Sequence, residues 1–214
     1  MNDTGLNQGT SGNISARTDD GFVITASGIA YDRMEESHIV EMDLDGGYRG
    51  EFLPSSEWRM HLDIFAARAD ARAIVHTHSP CATALSCLGR DIPAFHYMIA
   101  AAGGNSLRCA DYATFGTQEL SDNMLVALEG RSACLLANHG MISFGANLRA
   151  AFALAVEVES LCRQYALACQ LGEPIILDDA EMANVQERFK TYGKQPTETA
   201  DANSPAVFAP VKRD

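Results

Sequence analysis

Two histidines separated by one residue, His76 and His78, are the part of the sequence best suited to chemistry. They end a short apolar run at residues 73–75, which predicts a buried strand. Side chains two positions apart on a strand point the same way, so the two imidazoles should converge on one point. Two imidazoles, a third histidine and a carboxylate are the ligands that a catalytic divalent metal requires. The sequence therefore predicts a metalloenzyme.

The third imidazole has two candidates. His139 lies in the segment Ala-Asn-His-Gly, which predicts a tight turn between two apolar strands. His61 follows the candidate carboxylate Glu57 by one helical turn, so these two side chains would share a helix face. Spacing alone does not choose between the two histidines. Cys81 follows the histidine motif closely, but a small cysteine is more often a buried packing residue than a ligand or nucleophile.

The charge of the chain restricts its partners. With 16 Lys and Arg against 28 Asp and Glu, the formal net charge is −12, which disfavours binding to nucleic acid. An anionic substrate would need local donors such as backbone N–H groups, hydroxyls or a metal. Three segments could supply such donors to a phosphate: residues 9–13, Ser27-Gly28 and Ser55-Ser56.

Length and composition indicate a folded domain that does not span a membrane. The chain has 214 residues, of which 47% are hydrophobic and 7% aromatic, enough for a packed core. No apolar run reaches the roughly 18 residues of a membrane span, and no basic-then-apolar leader is recognisable. The six cysteines are scattered without a Cys-x-x-Cys pair, which favours reduced thiols and a cytoplasmic location.

Hydrophobic periodicity predicts both strands and helices. Strands are predicted at residues 21–25, 38–44, 71–78, 132–137 and 141–144. Helices are predicted at residues 55–68, 80–88, 148–171 and 179–192, the first of them capped by Ser55 or Ser56. Because the two kinds of element intermix, we expect a mixed α/β fold with one domain over residues 1–193. The composition becomes polar after Gly193, which predicts a flexible tail over residues 194–214.

Six segments, in order along the chain, resemble the class II aldolase and adducin family. They are NQGTSGNIS at residues 7–15, PSSEW at 54–58, HTH at 76–78, IPAFHYMIAAAGGN at 92–105, YATFGT at 112–117 and FKTYG at 189–193. The resemblance implies a central mixed or antiparallel β-sheet flanked by helices. It also implies a homotetramer with active sites at the subunit interfaces. The family's first helix has no counterpart before residue 5, which suggests a downstream start site or a truncation.

The resemblance also implies roles for the metal-site residues. His76, His78 and His139 match the three ligands of one zinc ion per subunit, which leaves His61 a packing role. Glu57 matches a carboxylate that is both the fourth ligand and the acid/base group.

Two further groups of residues match substrate-binding positions of the family. Those that match phosphate contacts are Gly12, Asn13, Ser27, Gly28, Ser55 and Ser56. Those that match the positions handling the aldehyde partner, some of them reaching in from a neighbouring subunit, are Tyr97, Phe115, Phe189 and Tyr192. Tyr97 is also the candidate for proton transfer at the aldehyde end of the substrate.

The activity implied by the resemblance is cleavage of L-fuculose 1-phosphate to dihydroxyacetone phosphate and L-lactaldehyde. Three neutral imidazoles leave zinc its double positive charge, so the ion can stabilise the enediolate that forms when dihydroxyacetone phosphate loses a proton. Glu57, displaced from the metal by substrate, would be the base that takes this proton.

Other activities of the same family remain alternatives. They are ribulose-phosphate 4-epimerase, rhamnulose- or deoxyribulose-phosphate aldolase, and methylthioribulose-phosphate dehydratase. The epimerases carry Asp at the position of Glu57, which argues for aldol cleavage here. A metal-free, adducin-like scaffold is the alternative outside enzymes, but such domains lose the histidines that this sequence keeps.

Overall fold

The computed structural model describes residues 1–190, and a β-sheet forms the centre of that region. The strands are β1 (Asn13–Arg17), β2 (Gly21–Thr25), β3 (Ile39–Asp43), β4 (Tyr48–Arg49), β5 (Ala73–Thr77), β6 (Ile92–Pro93), β7 (Ser106–Leu107), β8 (Cys109–Ala110), β9 (Ala133–Leu136) and β10 (Gly140–Gly145). The α-helices are α1 (Trp58–Ala67), α2 (Pro80–Ser86), α3 (Gln118–Ala127), α4 (Leu148–Leu171) and α5 (Asp179–Phe189). Short 3₁₀ helices occur at Asn2–Thr4, Tyr31–Arg33, Glu36–His38 and Tyr97–Ala102.

Eight of the strands form one sheet in the order β4-β3-β2-β1-β5-β10-β9-β8, and β6 pairs with β7 separately. All neighbours in the large sheet are antiparallel except β8 and β9, which are parallel. This arrangement confirms the predicted mixed α/β fold with a central mixed sheet. Among the described residues, no helix is both long and apolar enough to cross a membrane.

Helices cover both faces of the sheet, and strand β5 contributes to both cores. Its residues Ala73 and Val75 pack in a cluster that also contains residues of α4 and α5, such as Val158. Ile74 packs in the second cluster, with residues of α1 and α3 such as Ile64. A strand buried on both sides has no polar face, which explains the continuous apolar run before the histidines.

The register of the central strands positions the polar residues at the end of β5. On one side His76 is opposite Asn13 of β1, and on the other it is opposite Ile142 of β10. Strand β1 was not among the predicted strands, because two of its buried side chains, Asn13 and Ser15, are polar. Its five residues alternate between polar and apolar types, but the polar ones are buried, which is the reverse of the pattern by which a half-buried strand is recognised.

The predicted helices differ from the structure mainly at their ends. Helix α4 has the predicted bounds, whereas α1 begins at Trp58 with Glu57 at its N-cap and no side-chain cap hydrogen bond. The prediction that Ser55 or Ser56 caps α1 is therefore wrong. The Ser55 hydroxyl instead accepts a hydrogen bond from the backbone N–H of Glu57 at 3.3 Å. Helix α3 was not predicted, and the tail at residues 194–214 lies outside the described residues.

Candidate functional site

Four side chains that could bind a metal meet at one end of strand β5. The ligand atoms of Glu57, His76, His78 and His139 all lie within 4.8 Å of one another. The three imidazole centroids are 4.9, 4.9 and 4.8 Å apart, and the ring planes are inclined at 73° to 81°. The structure thus brings together the four residues that sequence analysis selected as a ligand set.

Different elements supply these side chains. His76 belongs to β5, His78 follows the end of that strand, and His139 lies in the turn between β9 and β10. The turn approaches β5 closely at Gly140, where an added Cβ would lie 2.4 Å from the carbonyl oxygen of Thr77. Glycine at this position therefore lets the turn place His139 against the other two imidazoles.

The preceding residue of the turn, Asn138, has a φ of +55°. This is the left-handed region, which asparagine tolerates better than most residues with a side chain. Glu57 reaches the cluster from the other side, at the N-terminus of α1.

The spacing of the donor atoms fits a shared divalent ion. Glu57 Oε2 lies 3.2 Å from His76 Nε2, and Glu57 Oε1 lies 2.9 Å from His139 Nε2. The Nε2 atoms of His76 and His78 are 3.0 Å apart. Ligands at about 2.0–2.1 Å from a tetrahedral zinc lie roughly 3.3 Å from each other, so these separations are close to those of a coordination shell.

The hydrogen bonding of the cluster also fits a metal. Glu57 Oε1 is buried and makes no hydrogen bond of acceptable geometry, although an imidazole lies beside it. His76 Nδ1 lies 2.8 Å from the carbonyl oxygen of Met141, to which it donates, so its Nε2 lone pair faces the other ligands. Such a hydrogen bond behind a histidine fixes the tautomer that a metal requires.

The pKa shifts in the cluster favour a negatively charged Glu57 and a neutral His78, which suits the binding of a cation. Burial opposes ionisation of Glu57, but the imidazoles of His76 and His139 outweigh it and lower the pKa of the carboxyl. Burial also disfavours the charged form of His76, yet the Glu57 carboxylate raises its pKa. For His78, burial and the neighbouring imidazoles lower the pKa to about 4, so this ring is a neutral donor near pH 7.

A cavity of about 410 Å³ opens beside the cluster of candidate ligands. Among its lining residues are Glu57, His78 and His139 and all six residues predicted to contact phosphate, which are Gly12, Asn13, Ser27, Gly28, Ser55 and Ser56. Ser27-Gly28 and Ser55-Ser56 are neighbours because residues 53–55 run beside the end of β2. The Ser55 backbone N–H donates to Thr25 O, and the Ser27 backbone N–H donates to Leu53 O. Polar groups therefore line the cavity beside the candidate metal ligands.

Two residues that sequence analysis did not single out fix the loop before β1. The Asn7 amide donates to the Ser11 carbonyl oxygen at 2.7 Å and accepts from the His78 backbone N–H at 3.2 Å. The Tyr31 hydroxyl donates to the Gly12 carbonyl oxygen at 2.8 Å. Asn7 lies inside a family-like segment, which was the signal that could have identified it; Tyr31 lies outside those segments.

The residues predicted to handle an aldehyde are not all at the cavity. Phe115 lines it and is 65% exposed, and Tyr112 and Asn138 line it as well, although sequence analysis assigned them no role. Tyr97 begins a 3₁₀ helix and Phe189 ends α5, and neither is among the lining residues in the single chain. Tyr192 lies outside the described residues.

The competing candidates are absent from the metal-binding group that the described residues form. His61 is fully buried and uses its two ring nitrogens in contacts with Ser15 and Asn13. Burial lowers the pKa of this imidazole to about 3, so it remains neutral. Cys81 is partly buried and packs against the core cluster of α4.

Comparisons with known proteins identify the family of the chain. A family model described as the class II aldolase and adducin N-terminal domain matches residues 1–166. The 5-methylthioribulose-1-phosphate/5-deoxyribulose-1-phosphate aldolase of Rhodospirillum rubrum is 57% identical over 189 residues, which are 88% of this chain and 86% of that protein. The L-fuculose phosphate aldolase of Escherichia coli K12 is 52% identical over 194 residues, 90% of each chain.

A solved structure of L-fuculose 1-phosphate aldolase superposes with a TM-score of 0.85 at 47% identity, covering 88% of this chain and 90% of that one. The sheet, the ligand cluster and the extent of these matches lead to one conclusion. The protein is a lyase that belongs to the class II aldolase and adducin family.

Proposed function

We propose that the protein is a zinc-dependent aldolase that cleaves L-fuculose 1-phosphate to dihydroxyacetone phosphate and L-lactaldehyde. The observation that carries the proposal is the contact of the Glu57 carboxylate with the histidine cluster at a cavity lined by potential phosphate donors. A proton-transfer group, a cation site and an anion site then lie within the length of one sugar phosphate.

His76, His78 and His139 would hold the ion through their ring nitrogens. When bound, a divalent ion acts as a Lewis acid on the carbonyl and hydroxyl oxygens of the substrate. Zinc is favoured because a set of three imidazoles and one carboxylate suits its tetrahedral preference, although cobalt or manganese would accept the same donors.

Glu57 would transfer the proton at the carbon next to the carbonyl. In the condensation direction it removes this proton from dihydroxyacetone phosphate; in the cleavage direction it returns one to the same carbon after the carbon–carbon bond breaks. The lowered pKa of Glu57 keeps the group a carboxylate near neutral pH, as a base must be.

The phosphate would bind at the mouth of the cavity. Ser27, Ser55 and Ser56 offer hydroxyls, Gly28 and Ser56 offer backbone N–H groups, and the Asn13 amide donates to the Ser55 hydroxyl beside them. Binding energy gained at the phosphate, away from the reacting carbons, positions the substrate against Glu57. Local donors of this kind let a chain with a net charge of −12 hold an anion.

The aldehyde end would involve Tyr97, with Phe115, Phe189 and Tyr192. In cleavage, the hydroxyl of the carbon that becomes the aldehyde loses its proton, and Tyr97 is proposed to relay it, with its phenol releasing one proton as it takes up the other. Because Tyr97 and Phe189 do not line the cavity of the single chain, this role requires a neighbouring subunit, in keeping with a proposed homotetramer. The six free cysteines support the proposal of a cytoplasmic location.

Cleavage of 5-deoxyribulose 1-phosphate or 5-methylthioribulose 1-phosphate is a second candidate activity. The relative named for these substrates is 57% identical to this chain, against 52% for the fuculose enzyme from Escherichia coli K12. All three substrates yield dihydroxyacetone phosphate and differ only in the aldehyde. The residues at the metal and phosphate sites would therefore act alike on each.

A direct comparison of the three ketose 1-phosphates tests the proposal. The zinc-loaded enzyme is incubated with each compound, and dihydroxyacetone phosphate and the aldehyde are quantified before and after chelation. We expect the highest kcat/KM with L-fuculose 1-phosphate and loss of all cleavage on chelation. A higher kcat/KM with 5-deoxyribulose 1-phosphate or 5-methylthioribulose 1-phosphate would make that compound the substrate instead. A folded protein that binds no metal and cleaves none of the three compounds would favour the metal-free, adducin-like scaffold.

A further inference from the structure

We propose that His61 is a positioning residue that orients the amide of Asn13 and, through it, the carboxylate of Glu57. This inference rests on the proposed function, because it takes Glu57 as the proton-transfer group. It replaces the packing role that the sequence resemblance implied for His61.

A continuous chain of hydrogen bonds connects these side chains. Ser15 Oγ lies 2.6 Å from His61 Nδ1, and His61 Nε2 lies 2.5 Å from Asn13 Oδ1. On its other side, the Asn13 Nδ2 group donates to Glu57 Oε2 at 3.0 Å and to Ser55 Oγ at 2.9 Å. All five side chains are buried, and His61 is fully buried.

The Glu57 carboxylate, which can only accept, determines which group donates at each step of this hydrogen-bond chain. If the Asn13 amide were rotated by 180°, its carbonyl oxygen would face Glu57 Oε2, and two acceptors would meet without a proton between them. The amide N–H group must therefore face Glu57, which turns the carbonyl oxygen towards His61. The imidazole then donates from Nε2 and accepts the Ser15 hydroxyl proton at Nδ1.

The packing of α1 on β1 places both ring nitrogens of His61 against side chains of β1. Asn13 and Ser15 are two positions apart on β1, so they project to the same face of the sheet, where α1 packs. His61 projects from α1 onto both side chains and is fully buried. With both ring nitrogens engaged, it has no lone pair left for a metal.

The consequence is a fixed donor at the catalytic carboxylate. Asn13 holds one oxygen of Glu57 in place through one N–H bond and holds the hydroxyl of Ser55, a residue of the predicted phosphate site, through the other. Without His61, the amide could rotate and present its oxygen to Glu57 or to the phosphate. Misorientation of a proton-transfer group by a fraction of an ångström is enough to slow catalysis.

A double-mutant cycle between His61 and Asn13 tests the inference. The measured step is exchange of the hydroxymethyl hydrogen of dihydroxyacetone phosphate with D₂O, catalysed by the zinc-loaded enzyme without aldehyde. We expect His61→Phe and Asn13→Ala each to slow exchange about tenfold and the double variant to be no slower than Asn13→Ala alone. Multiplication of the two losses, to about a hundredfold, would overturn the proposal.

Two further variants separate orientation from stability. His61→Gln carries an amide N–H near the position of Nε2, so we expect it to recover most of the exchange lost in His61→Phe. Ile64→Val changes a fully buried residue of the same helix, outside the site, and should lower the unfolding temperature without slowing exchange. Equal slowing in His61→Gln and His61→Phe would show that only packing matters.

The tautomer of His61 is measured independently of any substrate. In ¹⁵N-histidine-labelled enzyme, NMR should show His61 neutral, protonated at Nε2 and unprotonated at Nδ1. An imidazolium or an Nδ1–H tautomer would overturn the inference. If the wild-type enzyme exchanged no hydrogen of dihydroxyacetone phosphate, the proposed function would fail, and the NMR result would still decide how His61 orients Asn13.

Discussion

Asn13 lies opposite His76 in the antiparallel register of β1 and β5, on the sheet face that α1 covers. This pairing puts a side-chain amide beside a candidate metal ligand, and the same amide donates to Glu57 Oε2. A residue of the predicted phosphate site is therefore in direct contact with the predicted base. The two halves of the site are one hydrogen-bonded unit, which leads to the predictions below.

Removal of one histidine of the cluster should release the metal. We expect His139→Ala to lower the bound metal well below one ion per chain and to reduce cleavage by at least about a thousandfold, because the ion loses a ligand and its charge no longer acts on the substrate. Metal analysis of the purified variant and a cleavage assay measure both effects. His38→Ala, at a histidine that contacts Phe52 away from the cluster, is the matched control and should keep its metal.

Glu57→Gln should separate metal binding from proton transfer. The amide has the shape of the carboxylate but cannot accept a proton, so we expect hydrogen exchange of dihydroxyacetone phosphate to fall by about 10²–10⁴-fold. The three imidazoles remain, so the variant should still bind the ion, with weaker affinity. Exchange rates by NMR and metal titration test this, and wild-type exchange in Glu57→Gln would exclude Glu57 as the base.

Gly12→Ala should distort the loop before β1, which is predicted to contact phosphate. Gly12 has a φ of +74°, and a Cβ there would lie 2.4 Å from Asn7 Nδ2 and 2.6 Å from the His76 carbonyl oxygen. We expect a loss of about 1–3 kcal/mol in the free energy of unfolding and an increase in KM for the sugar phosphate.

Gly9→Ala is the matched control for that variant. Gly9 also has a positive φ, of +65°, but a Cβ added there would meet nothing within 4 Å, so the alanine adds backbone strain without a collision. Urea unfolding and steady-state kinetics of both variants make the comparison. Equal losses in the two would show that backbone strain, and not the close approach to Asn7, controls the loop.

The metal-free protein should lose stability as the pH falls below neutral. The folded chain lowers the pKa of His61 to about 3 and that of His78 to about 4, both mainly through burial. In the unfolded chain these imidazoles titrate near 6.5, so between about pH 6.5 and pH 4 only the unfolded state takes up the protons. Stability is therefore complete above pH 6.5 and is lost as the pH decreases, with a slope of up to about 1.4 kcal/mol per pH unit from His61.

Urea unfolding of chelated protein at a series of pH values measures this slope. His61→Phe has no titrating group at that position, so its curve should be flatter by the contribution of one proton. A wild-type stability that is constant from pH 7 to pH 4.5 would contradict the burial of a neutral His61.

Several features of the fold and the site follow from local sequence. The apolar run before His76 and His78 predicted a buried strand, and the structure has one there, in which residues 73–75 pack in the cores on both faces of the sheet. Helix α4 has its predicted bounds because Asn147 caps it and Gly172 ends it. Helix α3 was missed although Thr117 caps it and Leu120 and Met124 lie one turn apart on its buried face, so its signal was present in the sequence.

Long-range packing determined what local sequence left open. From residue spacing alone, His139 was a candidate for the third imidazole and His61 was not excluded, because each is close in sequence to only part of the site. Pairing of β10 with β5 brings the turn that carries His139 to the cluster. Packing of α1 on β1 turns His61 towards Asn13 and Ser15. Residue types and short-range periodicity therefore set the available ligands and elements, whereas contacts between distant segments chose which imidazole faces the cavity and which one supports it.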